Sequence, residues 1–399
     1  MLRITSLFIA IVLLGCTSVT EYNIIENPAL GDAKYPRIYS DNTGRVFMSW
    51  YETHGDSVLL KYSEYHEDGF WNEPSLVKKS VGWFINWADF QSMITIDGKP
   101  MAAHWLRDIP DNPNSYIVQI KSFQTSGVDT ITPHDDATIT EHGFVSLYPT
   151  SDSTFYTIWL DGRNTKSHSH SEVKYGDLST AMTLRGAEFD LNLNKLNESL
   201  IDDATCDCCN TALTITSNGL LVAYRNRTDE EIRDIYISRM IDGVWTKGEA
   251  IAHDNWKIAA CPVNGPALDS YGTSTAITWF TSTEESPTVK LSFSTDGGTS
   301  FDSPIELNNT TTLGRLDIQF VDEQSVWVSW LNKKDDSGEI VLQKISTDGT
   351  ISKEITIPGV YHHRSTGFPQ ISLINDDTIL VAWTHKYNGV SEIKTALIH

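Results

Sequence analysis

Apolar residues in this chain come in short stretches that alternate with polar ones and stop at Asp, Asn and Gly. Period-two alternation bounded by turn formers is the pattern of β-strands joined by hairpins, because successive strand side chains point to opposite faces. The pattern repeats. A short apolar strand, a tight turn and a second strand ending in Trp or Tyr read as PRIYSDNTGRVFMSW, SMITIDGKPMAAHW, VSLYPTSDSTFYTIW and ALTITSNGLLVAY, then PALDSYGTSTAITW, LDIQFVDEQSVWVSW and QISLINDDTILVAW. Their aromatic anchors, Trp50, Trp105, Trp159, Tyr224, Trp279, Trp330 and Trp383, lie roughly 50–65 residues apart. Further strand-like runs such as VLLKYSEY, KLSFSTD and IVLQKIST fill the intervals. About four strands per repeat predicts an all-β, seven-bladed β-propeller, with a six-bladed ring of sialidase type as runner-up. Too few residues follow Trp383 to finish the last blade, so a stretch near Val19–Ile25 is expected to supply its outer strand and close the ring.

Composition adds the surroundings. With 40% hydrophobic and 21% charged positions in 399 residues, the chain suits a globular body. Its 30 Lys+Arg against 52 Asp+Glu leave a net charge of −22, which repels phosphate backbones and argues against nucleic acid as a partner. The N-terminus differs: Arg3, a short apolar run and Leu13-Leu14-Gly15-Cys16 have the layout of an export signal. This ending resembles the lipobox of bacterial lipoproteins, which implies acylation of Cys16 and a membrane anchor through the lipid. Thr17 after the Cys implies the outer membrane, on its periplasmic or cell-surface side. The expected organisation is a signal peptide at 1–15, a lipidated Cys, tether and closing strand at 16–35, and the propeller at 36–399.

In a propeller, the hairpin turns of the first two strands lie on one face. Loops after the anchors and before the inner strands lie on the other, around the channel. These loops hold Arg107, Asp161-Gly162-Arg163 and Arg225-Asn226-Arg227, and also Trp87 to Asp89, Glu141-His142, Asn264 and His362-His363-Arg364. An acidic protein that gathers Arg, His and aromatics on one rim suits an anion or sugar site, since guanidinium forks hold carboxylates and sulfates. Candidate binding residues are Trp87, Arg107, Arg163, Arg225, Arg227, Arg233, Asn264 and Arg364. Each arginine could instead pair with a nearby acid, as Arg233 with Glu230 or Asp234. His54, His66, His134 and His253 read as solvated loop residues, and His104 as core or rim.

The cysteines beyond the N-terminal region, Cys206, Cys208, Cys209 and Cys261, all fall before the fourth and fifth inner strands. Disulfides are the default in an exported protein, but vicinal Cys208–Cys209 pairing is strained and Cys206–Cys208 spans little chain. A thiolate cluster for zinc or copper, with His168, His170 or His142 adding imidazole, explains the spacing equally well. A redox or catalytic thiol is the third reading.

Ser294-x-Asp296-x-Gly298-x-Ser300-Phe301 resembles the Asp box of the sialidase-like, BNR-repeat propellers, with weaker echoes at Ile345–Thr350 and Ile237–Trp245. GWFINWADF, TEHGFVSL, IWLDGR, TCDCCNTAL and CPVNGPA look like bacterial secreted propellers of that family, commonly labelled exo-α-sialidases. In sialidases an Arg triad holds the substrate carboxylate, a Tyr assisted by Glu attacks, and an Asp serves as acid/base. Arg225, Arg227, Arg233, Tyr224, Glu230, Asp161 and Asp89 supply those chemical types, in an order that departs from the family's. The expected function is therefore glycoside hydrolysis of an acidic oligosaccharide or polysaccharide by a monomer, with Asp89, Asp161, Tyr224 and Glu230 as catalytic candidates. A uronate lyase using His142 or Tyr224 as base, a glycan-binding protein and a metal-binding or redox propeller are the alternatives.

Overall fold

The computed structural model describes residues 22–112, 115–125, 127–165, 176–284, 286–308 and 311–399; Cys16, His168 and His170 lie outside them. The described strands form seven antiparallel sheets, the blades of a propeller. Each of the seven repeat copies is the inner hairpin of one blade. Asp32–Ser40 pairs Val46–His54, Ser92–Ile96 pairs Lys99–Asp108, and His142–Pro149 pairs Thr154–Asp161. Ala212–Thr216 pairs Gly219–Arg225 and Ala267–Tyr271 pairs Ser274–Thr283 in blades four and five. Thr312–Asp322 with Ser325–Lys334 and Gln370–Asn375 with Thr378–Tyr387 complete the set. Tyr22–Ile25 pairs with Val390–Ile398, from Tyr22 opposite Ile398 to Ile25 opposite Thr395, so an N-terminal strand closes the seventh blade. The inner strands of the first and seventh blades touch, and the ring is complete.

The anchors show why the repeat is aromatic. Trp50, Trp159, Trp279 and Tyr224 are fully buried, and Trp105, Trp330 and Trp383 nearly so. Burying a ring of this size stabilises by about 4–6 kcal/mol at the usual area coefficient. Each indole N–H then needs an acceptor. Trp50 donates to Glu52 at 2.8 Å, Trp159 to Asp161 at 2.8 Å and Trp330 to Asn332 at 3.0 Å, each two residues on and so on the same strand face. Trp279 donates to Asp254 at 2.7 Å.

Turns follow the chemistry of their residues. Asp97-Gly98 and Asn388-Gly389 take left-handed conformations in two-residue hairpin loops, where Gly is nearly free of steric cost. A side chain at Gly98 would also strike the Arg45 guanidinium. In the Asp-box turn, between the outer strands Ser286–Ser294 and Ile305–Asn308, Asp296 accepts from the backbone N–H of Thr299 and Ser300 and from the Ser294 and Ser300 hydroxyls.

The inner strands surround a channel of about 770 Å³. Carboxylates along it stitch blade to blade. Asp41 accepts from Gly98 N at 2.6 Å, Asp269 from Phe320 N at 2.7 Å and Asp317 from Ile371 N at 2.9 Å.

Candidate functional site

At the end of the channel away from the hairpin turns, several inner strands begin with a register break and a left-handed residue. Tyr35, Phe144, Val263, Arg315 and Gly367 have φ of 55°, 52°, 53°, 59° and 66°, and breaks follow Lys34, Gly143 and Gly314. Bulky residues in this conformation store strain, and such positions cluster at binding sites. Here they turn side chains over the mouth.

Trp87 packs beside that mouth, against the channel-lining Phe368. Its half-buried ring stacks on Phe368, with centroids 6.1 Å apart and planes within 16°. Phe368 packs on Phe90, and Phe90 on Tyr35. Two guanidiniums lie over the same indole, Arg315 at 5.1 Å and Arg364 at 5.8 Å. Arg315 is 5% exposed. It donates to the carbonyls of His362, His363 and Gly367 and to the Thr366 hydroxyl, and no described carboxylate lies within ion-pair distance. Burial, together with the charge of Arg364, pushes Arg315 down to about 10. Arg364 is exposed and likewise has no carboxylate partner among the described residues. The mouth therefore carries two positive charges beside an aromatic surface in a strongly acidic protein.

Asp89 lies in the bend just before the second inner strand, Ser92–Ile96. It is buried, its Oδ2 has no hydrogen-bond partner, and a side chain at Gly143 would fill the space that this oxygen occupies. Burial pushes its carboxyl up to about 8, against a backbone N–H of Phe144 and with the charge of Glu141 adding to the rise. Burial thus favours the protonated form of Asp89. Tyr116 beside it donates to Glu141 Oε1 at 2.5 Å.

The other sequence candidates sit elsewhere. Asp161 is fully buried and receives Trp159 Nε1, Arg163 Nε at 2.7 Å and Arg163 Nη2 at 2.9 Å, with His142 Nε2 at 3.6 Å. His142 is fully buried too, 2.8 Å from Asp136. Burial works against its charge, but bonds to Asp136 and Asp161 push it up to about 9. His134 is not a solvated loop residue; it is 6% exposed and its ring stacks on His142 at 3.7 Å. Burial and the charge of His142 push it down to about 3. This group is an ion-pair staple of blade three, built on His142, Asp136, Asp161 and Arg163, while the buried Nε2 of His134 has no hydrogen-bond partner among the described residues.

The arginines of the fourth blade are also spoken for. Arg225 is 2% exposed, donates to the carbonyls of Asn264, Arg233 and Phe280, and stacks on Trp256 at 4.8 Å. Arg227 and Arg233 share Glu231, through contacts of 2.7 and 2.9 Å. Glu231, not Glu230 or Asp234, is their partner; Glu230 lies exposed on the adjoining turn. An open triad for a substrate carboxylate does not form from these three. Tyr224 donates to Asp202 at 2.5 Å, deep between blades three and four, with its hydroxyl against Gly248. Arg107 is exposed after the second anchor. Asn264 links the two arginine regions, because its carbonyl takes Arg225 while its Oδ1 takes the backbone N–H of Arg315 at 2.8 Å.

Cys206, Cys208, Cys209 and Cys261 are free thiols. The Cys206 sulfur lies 3.9 Å from that of Cys208 and 3.4 Å from that of Cys209. Arg233 Nη1 donates to it at 3.2 Å. Cys261 lies exposed on the next blade's loop.

Arg315, Tyr35, Phe368 and Glu231 are missing from the sequence-based set. Tyr35, Phe144 and Arg315 each stand one residue before a repeat copy begins, so the alternation that defines the strands excluded them. Aligning Gly143-Phe144, Gly314-Arg315 and Gly367-Phe368 as one recurring position was the available signal.

No protein-family model matches the chain. No curated protein matches it in sequence. Solved structures share its architecture. The lectin BP39L of Burkholderia pseudomallei is similar over 87% of this chain and 91% of its own, with a TM-score of 0.56 and 10% identity. An ulvan lyase from a family of polysaccharide lyases matches over 94% of this chain and 95% of its own, at 0.51 and 10%. The endosialidase of phage phi92 matches over 95% of this chain and 69% of its own, at 0.50 and 10%. At such identity the shared property is the propeller fold.

Proposed function

We propose that the protein captures an acidic oligosaccharide or polysaccharide at the channel mouth, with a sugar ring on Trp87 and its carboxylate or sulfate beside Arg364 and Arg315. The observation that carries this reading is the pair of guanidiniums over one indole with no carboxylate partner among the described residues. A buried cation without a counterion is costly, and an arriving anion relieves that cost. The similar folds named as a lectin, an ulvan lyase and an endosialidase support a carbohydrate as the ligand class. Export and lipid anchoring through Cys16 would present this mouth to glycans outside the cytoplasm.

Hydrolysis is the second reading, favoured by one observation: Asp89 is buried with an unpartnered Oδ2, which favours its protonated form and suits a proton donor. Asp161 and Tyr224 do not join it, since each is buried and held by its own bonds, Asp161 to Trp159 and Arg163 and Tyr224 to Asp202. A panel of uronate-rich, sulfated, sialylated and neutral oligosaccharides, scored for binding and for released product, tests both readings. Binding restricted to acidic members and lost in Arg364→Ala supports capture. Product release that disappears in Asp89→Asn moves the assignment to hydrolysis, and equal binding of neutral members refutes the mouth as an anion site.

A further inference from the structure

The sulfurs of the fourth blade form a second site, independent of the mouth's ligand. Cys206 and Cys209 are 1% and 2% exposed, and the sulfurs of Cys206, Cys208 and Cys209 all lie within 4.8 Å of one another. Two thiolates on one ion at about 2.3 Å are held about 3.8–4.0 Å apart, in tetrahedral or trigonal geometry. The observed separations of 3.4 and 3.9 Å sit near that spacing and well beyond the roughly 2 Å of a disulfide. The backbone has brought three sulfurs to one point without bonding any two.

Charge points the same way. Arg225 is buried with no carboxylate within ion-pair distance among the described residues, and Arg227 and Arg233 share the single Glu231 between them. Among the described residues Asp207 forms one ion pair, with Arg227 at 3.9 Å. Guanidinium outnumbers carboxylate around the cluster, and Arg233 already donates to the Cys206 sulfur at 3.2 Å. Three thiolates around a monovalent cation carry a net negative charge that these arginines offset. Donors to a ligating sulfur are the usual outer partners of such a site.

We propose that Cys206, Cys208 and Cys209 bind one monovalent copper ion through three thiolates. Soft sulfur donors suit copper(I) and zinc among the common metals, and the number of ligands separates the two. Zinc prefers four ligands, and Cys261 is the remaining described cysteine. That difference makes the proposal testable.

The full chain, purified under reducing and chelator-free conditions, is loaded anaerobically with copper(I) or, separately, with zinc(II), and then challenged with a metal-specific chelator. One copper per chain should be retained, with thiolate-to-copper absorption in the ultraviolet. Retention should be lost in Cys208→Ser and in Cys209→Ser and kept in Cys261→Ser. Cys208 is part-exposed, so its serine variant should keep wild-type tryptophan fluorescence and melting temperature. Copper stripped as readily as from the serine variants would overturn the proposal, as would a disulfide among the three found by mass spectrometry of the unreduced protein. Preferential retention of zinc that depends on Cys261 would also overturn it, in favour of a four-thiolate centre.

Discussion

Methyl-esterifying a uronate oligosaccharide removes its charge and leaves its shape nearly unchanged, so the affinity ratio between acid and ester isolates what the guanidiniums contribute. Arg315 is pushed down from the usual guanidinium range to about 10 by burial and by Arg364. At about 1.4 kcal/mol per unit, holding that charge in the empty mouth costs on the order of 3 kcal/mol. A carboxylate alongside recovers part of it, and a recovery of about 1.4–3 kcal/mol corresponds to a roughly 10- to 150-fold ratio of Kd. Isothermal titration of both ligands at one moderate ionic strength reads the ratio directly, since screening at a Debye length near 10 Å must be held constant. In Arg315→Met the ratio should fall toward that of Arg364 alone, and in the double variant with Arg364→Ala toward one. Trp87→Ala should instead weaken acid and ester together, by roughly 30-fold for a buried aromatic anchor. Equal affinity of acid and ester in the wild type would refute the reasoning, as would a ratio that survives the double substitution.

Three further outcomes follow from the electrostatics. Asp89, raised to about 8, favours the folded state most when protonated, so its contribution is complete below its unfolded value near 4 and is lost as pH climbs toward 8; between pH 5 and 8 the wild type should lose about 1 kcal/mol per unit relative to Asp89→Asn, measured by denaturant unfolding. The stacked imidazoles should show opposite charge states in ¹⁵N spectra at pH 7, with His142 an imidazolium titrating near 9 and His134 neutral down to about 3; the stability His142 supplies is fully present below about 6.5 and fades as pH rises through 9, and two neutral rings at pH 7 would contradict the staple. Glu231→Gln leaves two buried guanidiniums without their shared carboxylate and should cost about 3–5 kcal/mol, whereas Glu230→Gln on the exposed turn should move stability by less than about 0.5 kcal/mol.

The ring was legible because its determinants are local. Period-two alternation, Asp-Gly and Asn-Gly turns and a recurring aromatic each act within one hairpin, and seven repetitions make the closed propeller the economical solution. The missing seventh outer strand was legible by counting. Charge partners were harder to read, because they depend on contacts between segments. Asp161 carries the chemistry of a catalytic acid, yet it lies two residues past Trp159 on the same strand face, where Glu52 and Asn332 accept the indoles of Trp50 and Trp330. That Trp-x-acceptor spacing was visible and pointed to a structural role. Glu230 and Glu231 are adjacent and identical in type; only the left-handed backbone of Glu231, at φ 61°, turns it inward to the arginines. Arg315 was hidden for the opposite reason, since it interrupts a strand pattern that otherwise reads as core. Clustering of Cys206, Cys208 and Cys209 was legible from spacing alone, but the surplus of guanidinium around it was not.

The most direct test is a crystal structure of the protein with an acidic oligosaccharide at saturating concentration. A sugar ring should stack on Trp87, with its anionic group within hydrogen-bonding distance of Arg364, on the side of Arg315. A sugar bound instead at the hairpin-turn end of the channel, or a mouth left empty while the ligand binds elsewhere, would contradict that placement.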